Sequence, residues 1–209
     1  IMKIKNRFGF YPVVLLALSL LIICDSCKKD EDEPGNPTNG KTKAVFNTNL
    51  TYGTMTDQDG NKYKTITIGT QTWMAENLRT TKFRNGEDIP EITDNTAWKY
   101  SVSSAYCNFK NTQNIDSIAT FGRLYNWYAV TDSRNIAPSG WHIPSRSEWN
   151  TLVAYLGVAD AGGKSKETGT THWKSPNTGA TNESGFTALP AGDRANSDGK
   201  FYDIGSGFV

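Results

Sequence analysis

Cysteine and histidine are scarce in this chain, with three and two respectively among 209 residues. Metal centres need converging His, Cys or carboxylate ligands. His142 and His172, each beside a tryptophan (Trp141 and Trp173), have no evident ligand partner in the sequence, so both read as structural and neither a metal nor another cofactor is expected. An excess of one charge sign is also missing. The formal net charge is +1, which argues against a nucleic-acid partner, since that asks for a basic patch or stripe. No apolar run reaches the roughly 20 residues that a membrane-spanning helix needs. The longest apolar stretch, Val13 to Ile23, is about half that length.

The apolar stretch instead belongs to a leader. Lys3, Lys5 and Arg7 precede it, and a small residue, Ser26, stands before Cys27, the three-part pattern of an export signal. Leu21 to Cys27 resembles the cleavage site of a bacterial lipoprotein signal, in which the cysteine is acylated, palmitate included, and becomes the first mature residue. Cys24 competes for that role, but bulky Ile23 precedes it, so Cys27 is favoured. Several acyl chains hold a protein durably on a membrane where one holds it only marginally. Removing residues 1–26 takes away Lys3, Lys5, Arg7 and Asp25 and leaves a formal charge near −1. The run Lys28-Lys29-Asp30-Glu31-Asp32-Glu33 resembles the charged signal that sends Bacteroidota lipoproteins to the outer face of the outer membrane. Residues 27–47 are expected to be an acidic, flexible tether, with Pro34 to Lys43 lacking apolar residues to bury.

Residues 48–209 suit one domain, rich in glycine and aromatic residues, and turn-rich rather than long-helical. Its lone cysteine, Cys107, allows no internal disulfide; it is either buried and inert or lacks a partner. Tyr63 to Ile68 alternates as a strand fed by an Asp59-Gly60-Asn61 hairpin turn, and Gln71 to Leu78 continues as a second strand with Trp73 in the core. Leu124, Trp127 and Tyr128 fall at helical spacing and predict a short amphipathic helix. Ser145 with Glu148 forms a capping box before Trp149, Leu152, Val153 and Leu156, and Gly157 marks the stop. Val158 to Phe186 reads as long loops with at most one short strand. Phe186 to Pro190 reads as a strand, and Asp198-Gly199 as a hairpin turn before Phe201 and Tyr202.

Five ordered blocks carry a family resemblance: Thr56 to Leu78, Phe121 to Val130, Ser139 to Gly157, Gly162 to Trp173, and Thr178 to Gly192. Together they resemble the Fibrobacter succinogenes major paralogous domain. His142-Ile143-Pro144-Ser145 through Glu148-Trp149 is also similar to the helix entry of formylglycine-generating enzymes, which share the C-type-lectin-like architecture. The resemblance implies an α+β, C-type-lectin-like fold with two short helices, small antiparallel sheets and long loops. It also implies a Trp- and Ser-rich strand and a closing strand after Gly205, so a C-terminally truncated domain is expected, with the partner of Cys107 lost.

The candidate chemistries are weak. Asp57, Asp59 and Asn61 alternate like the first ligands of an EF-hand, but Gly60 is misplaced and Ile68 stands where the bidentate glutamate belongs, so a turn is expected. No nucleophile elbow frames any serine. Formylglycine-generating activity, by resemblance, uses a copper-binding cysteine pair that one cysteine cannot supply. Lectin-type calcium binding uses a Glu-Pro-Asn or Gln-Pro-Asp element, and Ser175-Pro176-Asn177 lacks its first ligand. The expectation is therefore a non-catalytic, surface-exposed outer-membrane lipoprotein binding extracellular glycan or protein ligands. The alternatives are a divergent enzyme of the formylglycine-generating type and a structural envelope protein. Loops carry recognition, so Trp98 and Trp173 are the candidate ligand-stacking residues, the competing reading being that they anchor loops in the core.

Overall fold

The computed structural model describes residues 3–4 and 35–207, the first two by backbone alone. Cys27, its flanking charge run and nearly all of the leader lie outside the described residues. Among the described residues no helix is long and apolar enough to cross a membrane.

The fold is α+β, with small antiparallel sheets. The strands are β1 (Lys3–Ile4), β2 (Gly53–Thr56), β3 (Lys62–Ile68), β4 (Gln71–Met74), β5 (Tyr106–Cys107), β6 (Leu124–Tyr125), β7 (Trp141–His142), β8 (Ala191–Arg194) and β9 (Phe201–Ile204). The helices are α1 (Asn95–Lys99), α2 (Ile115–Phe121), α3 (Trp127–Thr131), α4 (Arg146–Leu156) and α5 (Ala161–Ser165). The main sheet runs β2-β3-β4-β1-β7, every neighbour antiparallel, and β5-β6 and β8-β9 form two-stranded ribbons.

The β2-β3 hairpin forms at the turn expected from Asp59-Gly60-Asn61. Asp57 Oδ1 accepts the amides of Asp59 and Asn61, both at 2.9 Å. Both faces of β3 and β4 are covered, because alternate side chains enter different cores. Tyr63 and Met74 pack with Phe83, Ile136 and Trp141, whereas Ile66, Ile68 and Trp73 pack with Leu152, Leu156 and Phe186. Helix α4 lies on that second core and begins at the predicted capping box. Glu148 N donates to Ser145 Oγ, and Ser145 N donates to Glu148 Oε2 at 2.9 Å. Gly157, at φ +89°, ends it. Trp149 then lies 4.9 Å from the Trp73 ring.

Four features depart from expectation. Asn126 caps α3 by accepting Ala129 N at 2.9 Å, so the helix starts at Trp127 while Leu124 belongs to a strand. The helical phase from Leu124 to Tyr128 is thereby broken, and Trp127 and Tyr128 turn outward. Helices α1 and α2 occupy segments with little periodicity and are instead set by their caps, Asp94 to Ala97 N and Asn114 to Ser117 N, each at 2.8 Å. Helix α5 forms within the segment read as loop, and Phe186–Pro190 contributes only an isolated parallel bridge, Lys166 with Ala188.

The largest correction concerns the tether. Residues 36–47 are stitched into the body largely by polar bonds, with Phe46 packing against the second core. Thr38 is buried, donates to Asn61 Oδ1 at 2.9 Å and accepts Arg79 Nε at 2.8 Å. Asn39 bridges Gly60 O and Lys62 N, Lys43 N donates to Thr120 Oγ1, and Val45 N donates to Glu167 Oε1 at 2.6 Å. Asn and Thr side chains satisfy backbone groups at long range here, which composition alone does not reveal.

Candidate functional site

An open cleft of about 470 Å³ is bordered by the segments after β4 and β7 and by strands β6 and β8. Asn77 and Leu78, just past β4, form one wall, and Ile143 and Pro144, just past β7, form another. Trp149, Phe121, Tyr125 and Leu189 line its mainly apolar floor and sides. Two arginines border it. Arg194 is held between the rings of Trp98 (4.7 Å) and Phe201 (4.6 Å) and donates to the carbonyls of Ile92, Thr93 and Gly199, so its hydrogen-bonding capacity is spent on structure. Arg123 donates from Nη1 to Arg79 O, while its Nε is buried without an acceptor.

A second feature is an exposed aromatic ridge. Trp127 (72% exposed), Tyr100 (68%) and Val102 (78%) stand out in solvent, with Tyr128 less so. The two segments that carry them are fastened together: Asn126 Nδ2 donates to Ser103 O at 2.8 Å, Asn126 N to Ala105 O at 3.0 Å, and Ala105 N to Asn126 Oδ1 at 3.0 Å. Ser104 Oγ donates to Asp132 Oδ2 at 2.7 Å, and Asp132 also takes a two-point contact from Arg134. Those bonds, led by the Arg134 guanidinium, hold the Asp132 carboxyl well below the usual carboxylate range. Sequence reasoning missed this ridge because it assigned Trp127 and Tyr128 to a buried stripe. The signal that identifies it is Asn126 in an N-cap position.

Trp98 and Trp173, the expected stacking residues, are both buried, at 6% and 7% exposure. Trp98 lies beneath Arg194 and borders the cleft. Trp173 Nε1 donates to Ala188 O at 3.1 Å, and its ring lies below Lys166. Both rings are thus largely covered, Trp98 by Arg194 and Trp173 by Lys166.

The two histidines do have partners. His142 Nε2 lies 2.9 Å from both oxygens of Glu148, the same carboxylate that completes the helix cap. His172 Nδ1 lies 2.8 Å from Glu167 Oε2. Each is a carboxylate–imidazole pair that fixes ring orientation. Among the described residues no group of three or more His, Cys, Asp or Glu is placed to hold a metal. The Asp57 and Asp59 oxygens are likewise committed: Asp57 Oδ2 accepts from Asn61 and Tyr63, and Asp59 Oδ2 accepts from Thr80 and Thr81. The Asn177 amide donates to the Glu167 and Gly169 carbonyls.

Cys107 is fully buried, and burial pushes its thiol up to about 11, against a smaller opposing pull from Arg194. A thiol so placed is unreactive, since the thiolate and not the thiol is the nucleophile.

No curated protein and no solved structure matches the chain. A family model does, over residues 66–207, which takes in the last part of β3, all later elements, the cleft and the ridge. The chain belongs to the Fibrobacter succinogenes major domain family.

Proposed function

We propose that this protein is an outer-membrane lipoprotein, acylated at Cys27 and exposed at the cell surface, whose domain binds an extracellular glycan or protein without catalysing a reaction. The exposed ridge of Trp127, Tyr100 and Val102 carries the reading. Large apolar side chains exposed on segments that hydrogen bonds hold together mark recognition surfaces. The leader pattern and the acidic run after Cys27 support the address. We further propose a C-type-lectin-like architecture, which the α+β composition, small antiparallel sheets and loop-rich second half support.

Protease shaving of intact cells tests the address, with removal of the domain expected and full protection contradicting it. A glycan array and a surface-protein overlay with the full chain test the binding. Trp127→Ala is expected to weaken any ligand found by roughly tenfold or more while leaving stability within about 0.5 kcal/mol. Unchanged binding in that variant would remove the ridge from the interface.

A further inference from the structure

A second, smaller pocket of about 270 Å³ opens between the segment before β2 and the loops after α5. Residues 46–49 line it together with Thr168, Thr181 and Asn182. Three asparagines, three threonines and Phe46 make up this lining, without a charged side chain.

The frame of the pocket is fixed by long-range polar bonds. Asn182, 1% exposed, accepts Thr187 N on its Oδ1 at 3.0 Å and donates from Nδ2 to Thr187 Oγ1 at 3.0 Å. Its carbonyl accepts Asn47 Nδ2 at 3.0 Å, and Asn47 Oδ1 accepts Asn49 N at 3.1 Å. Thr181 N donates to Gly163 O at 2.9 Å, and Glu167, next to Thr168, accepts Val45 N. Three stretches far apart in sequence are thereby held together before a ligand arrives, which lowers the ordering cost of binding.

On that frame the remaining polar side chains are uncommitted. Among the described residues, the Thr48 and Thr168 hydroxyls and the Asn49 side-chain amide have no hydrogen-bond partner, and Thr181 Oγ1 only accepts Glu183 N at 3.4 Å. Each hydroxyl offers one donor and two acceptor lone pairs, and the amide offers both a carbonyl and an NH₂. An apolar ligand would leave these groups unpaired, and a charged one would find no counter-ion in the lining. A ligand dense in neutral hydroxyls satisfies them. The volume falls just below the roughly 300–1,000 Å³ of drug-sized sites, which suits one ring rather than a chain of them, and Phe46 supplies apolar surface for its carbon skeleton.

We propose that this pocket binds one neutral sugar residue. The proposal goes beyond the ridge reading, since Tyr100, Val102 and Trp127 are not in this lining.

The test titrates the full chain, followed by NMR, with methyl glucoside, methyl galactoside, methyl mannoside and methyl N-acetylglucosaminide, and with glucuronate as the charged control. At least one neutral glycoside is expected to bind in the millimolar range, shifting the Asn49 side-chain amide and the Thr48 and Thr168 methyl signals, and glucuronate is expected to bind more weakly. Thr168→Val keeps the shape and removes a hydroxyl that no other described residue uses, so it is expected to weaken binding about fivefold with the thermal midpoint unchanged. Asn49→Ala is expected to do the same. Trp127→Ala is expected to leave this binding intact, so a failure of the ridge and a failure of the pocket are read separately. The proposal is overturned by the absence of any shift with the neutral glycosides at tens of millimolar, or by binding that both pocket variants leave unchanged. Binding abolished by Trp127→Ala, or equally tight for glucuronate, would overturn it too.

Discussion

Glu167 Oε2 lies 2.8 Å from His172 Nδ1 in a pocket that excludes solvent from the carboxylate entirely. Its other oxygen accepts Val45 N at 2.6 Å, and Phe121 meets the imidazole edge-on at 5.5 Å. One carboxylate thus joins the segment before β2 to the loop after α5. Truncating the imidazole leaves the buried carboxyl with a single donor, which costs several kcal/mol. His172→Ala is expected to lose about 3 kcal/mol in urea unfolding, and His172→Asn, which retains a nearby N–H, distinctly less. A loss below about 0.5 kcal/mol in the alanine variant would refute this assignment.

Burial raises the Glu76 carboxyl above its ordinary value of 4.5, even though Lys64 N donates to it and Arg79 lies 3.6 Å away. A group that holds its proton more tightly when folded stabilises the fold fully below its unfolded value and loses that contribution as pH rises through the folded one. Relative to Glu76→Gln, the wild type is therefore expected to lose stability as pH climbs from about 4.5 through the raised value. Denaturant midpoints for both proteins across that window check the slope, and a difference constant with pH would contradict it.

Cys107 is expected to stay unlabelled by iodoacetamide at neutral pH in the folded protein and to react fully in denaturant. Its thiol, shifted to about 11, holds almost no thiolate at pH 7. Rapid native labelling, read by mass spectrometry, would show that the site opens.

Gly163 lies in α5 with its Cα facing the Gly179 carbonyl so closely that an added methyl collides with backbone. The same stretch receives Thr181 N on Gly163 O at 2.9 Å. Gly163→Ala is expected to destabilise by about 1–3 kcal/mol, the opposite of what helix propensity alone would give. A stabilised variant by thermal unfolding would exclude this packing.

Much of the scaffold was legible because its chemistry is local. The capping box at Ser145 and Glu148, the turn at Asp59-Gly60-Asn61 and the hairpin at Asp198-Gly199 each depend on a few adjacent residues, and all formed. Trp73 as a core residue followed from its place in an apolar strand. What escaped was decided across long separations. Thr38 is held by Arg79 and Asn61, and Glu167 by Val45, pairings with no periodicity to expose them. Helix α5 forms despite two glycines because backbone packing outweighs propensity. The site was less legible than the fold. Burial of Trp98 turns on one arginine sandwich, burial of Trp173 on its bond to Ala188 O and the Lys166 cover, and exposure of Trp127 on one asparagine cap.

The stitching of Asn36 and Thr38 to the β2-β3 turn fixes how far the body can stray from its attachment. From Cys27 to Asn36 there are nine Cα steps, about 30 Å at full stretch. Were Cys27 to carry the acyl anchor proposed above, that leash would be shorter than composition promised, and the domain would ride low over the lipid headgroups. On that proposal, a ligand would have to come within a few nanometres of the bilayer, which would favour polymers lying along the envelope over partners held well above it.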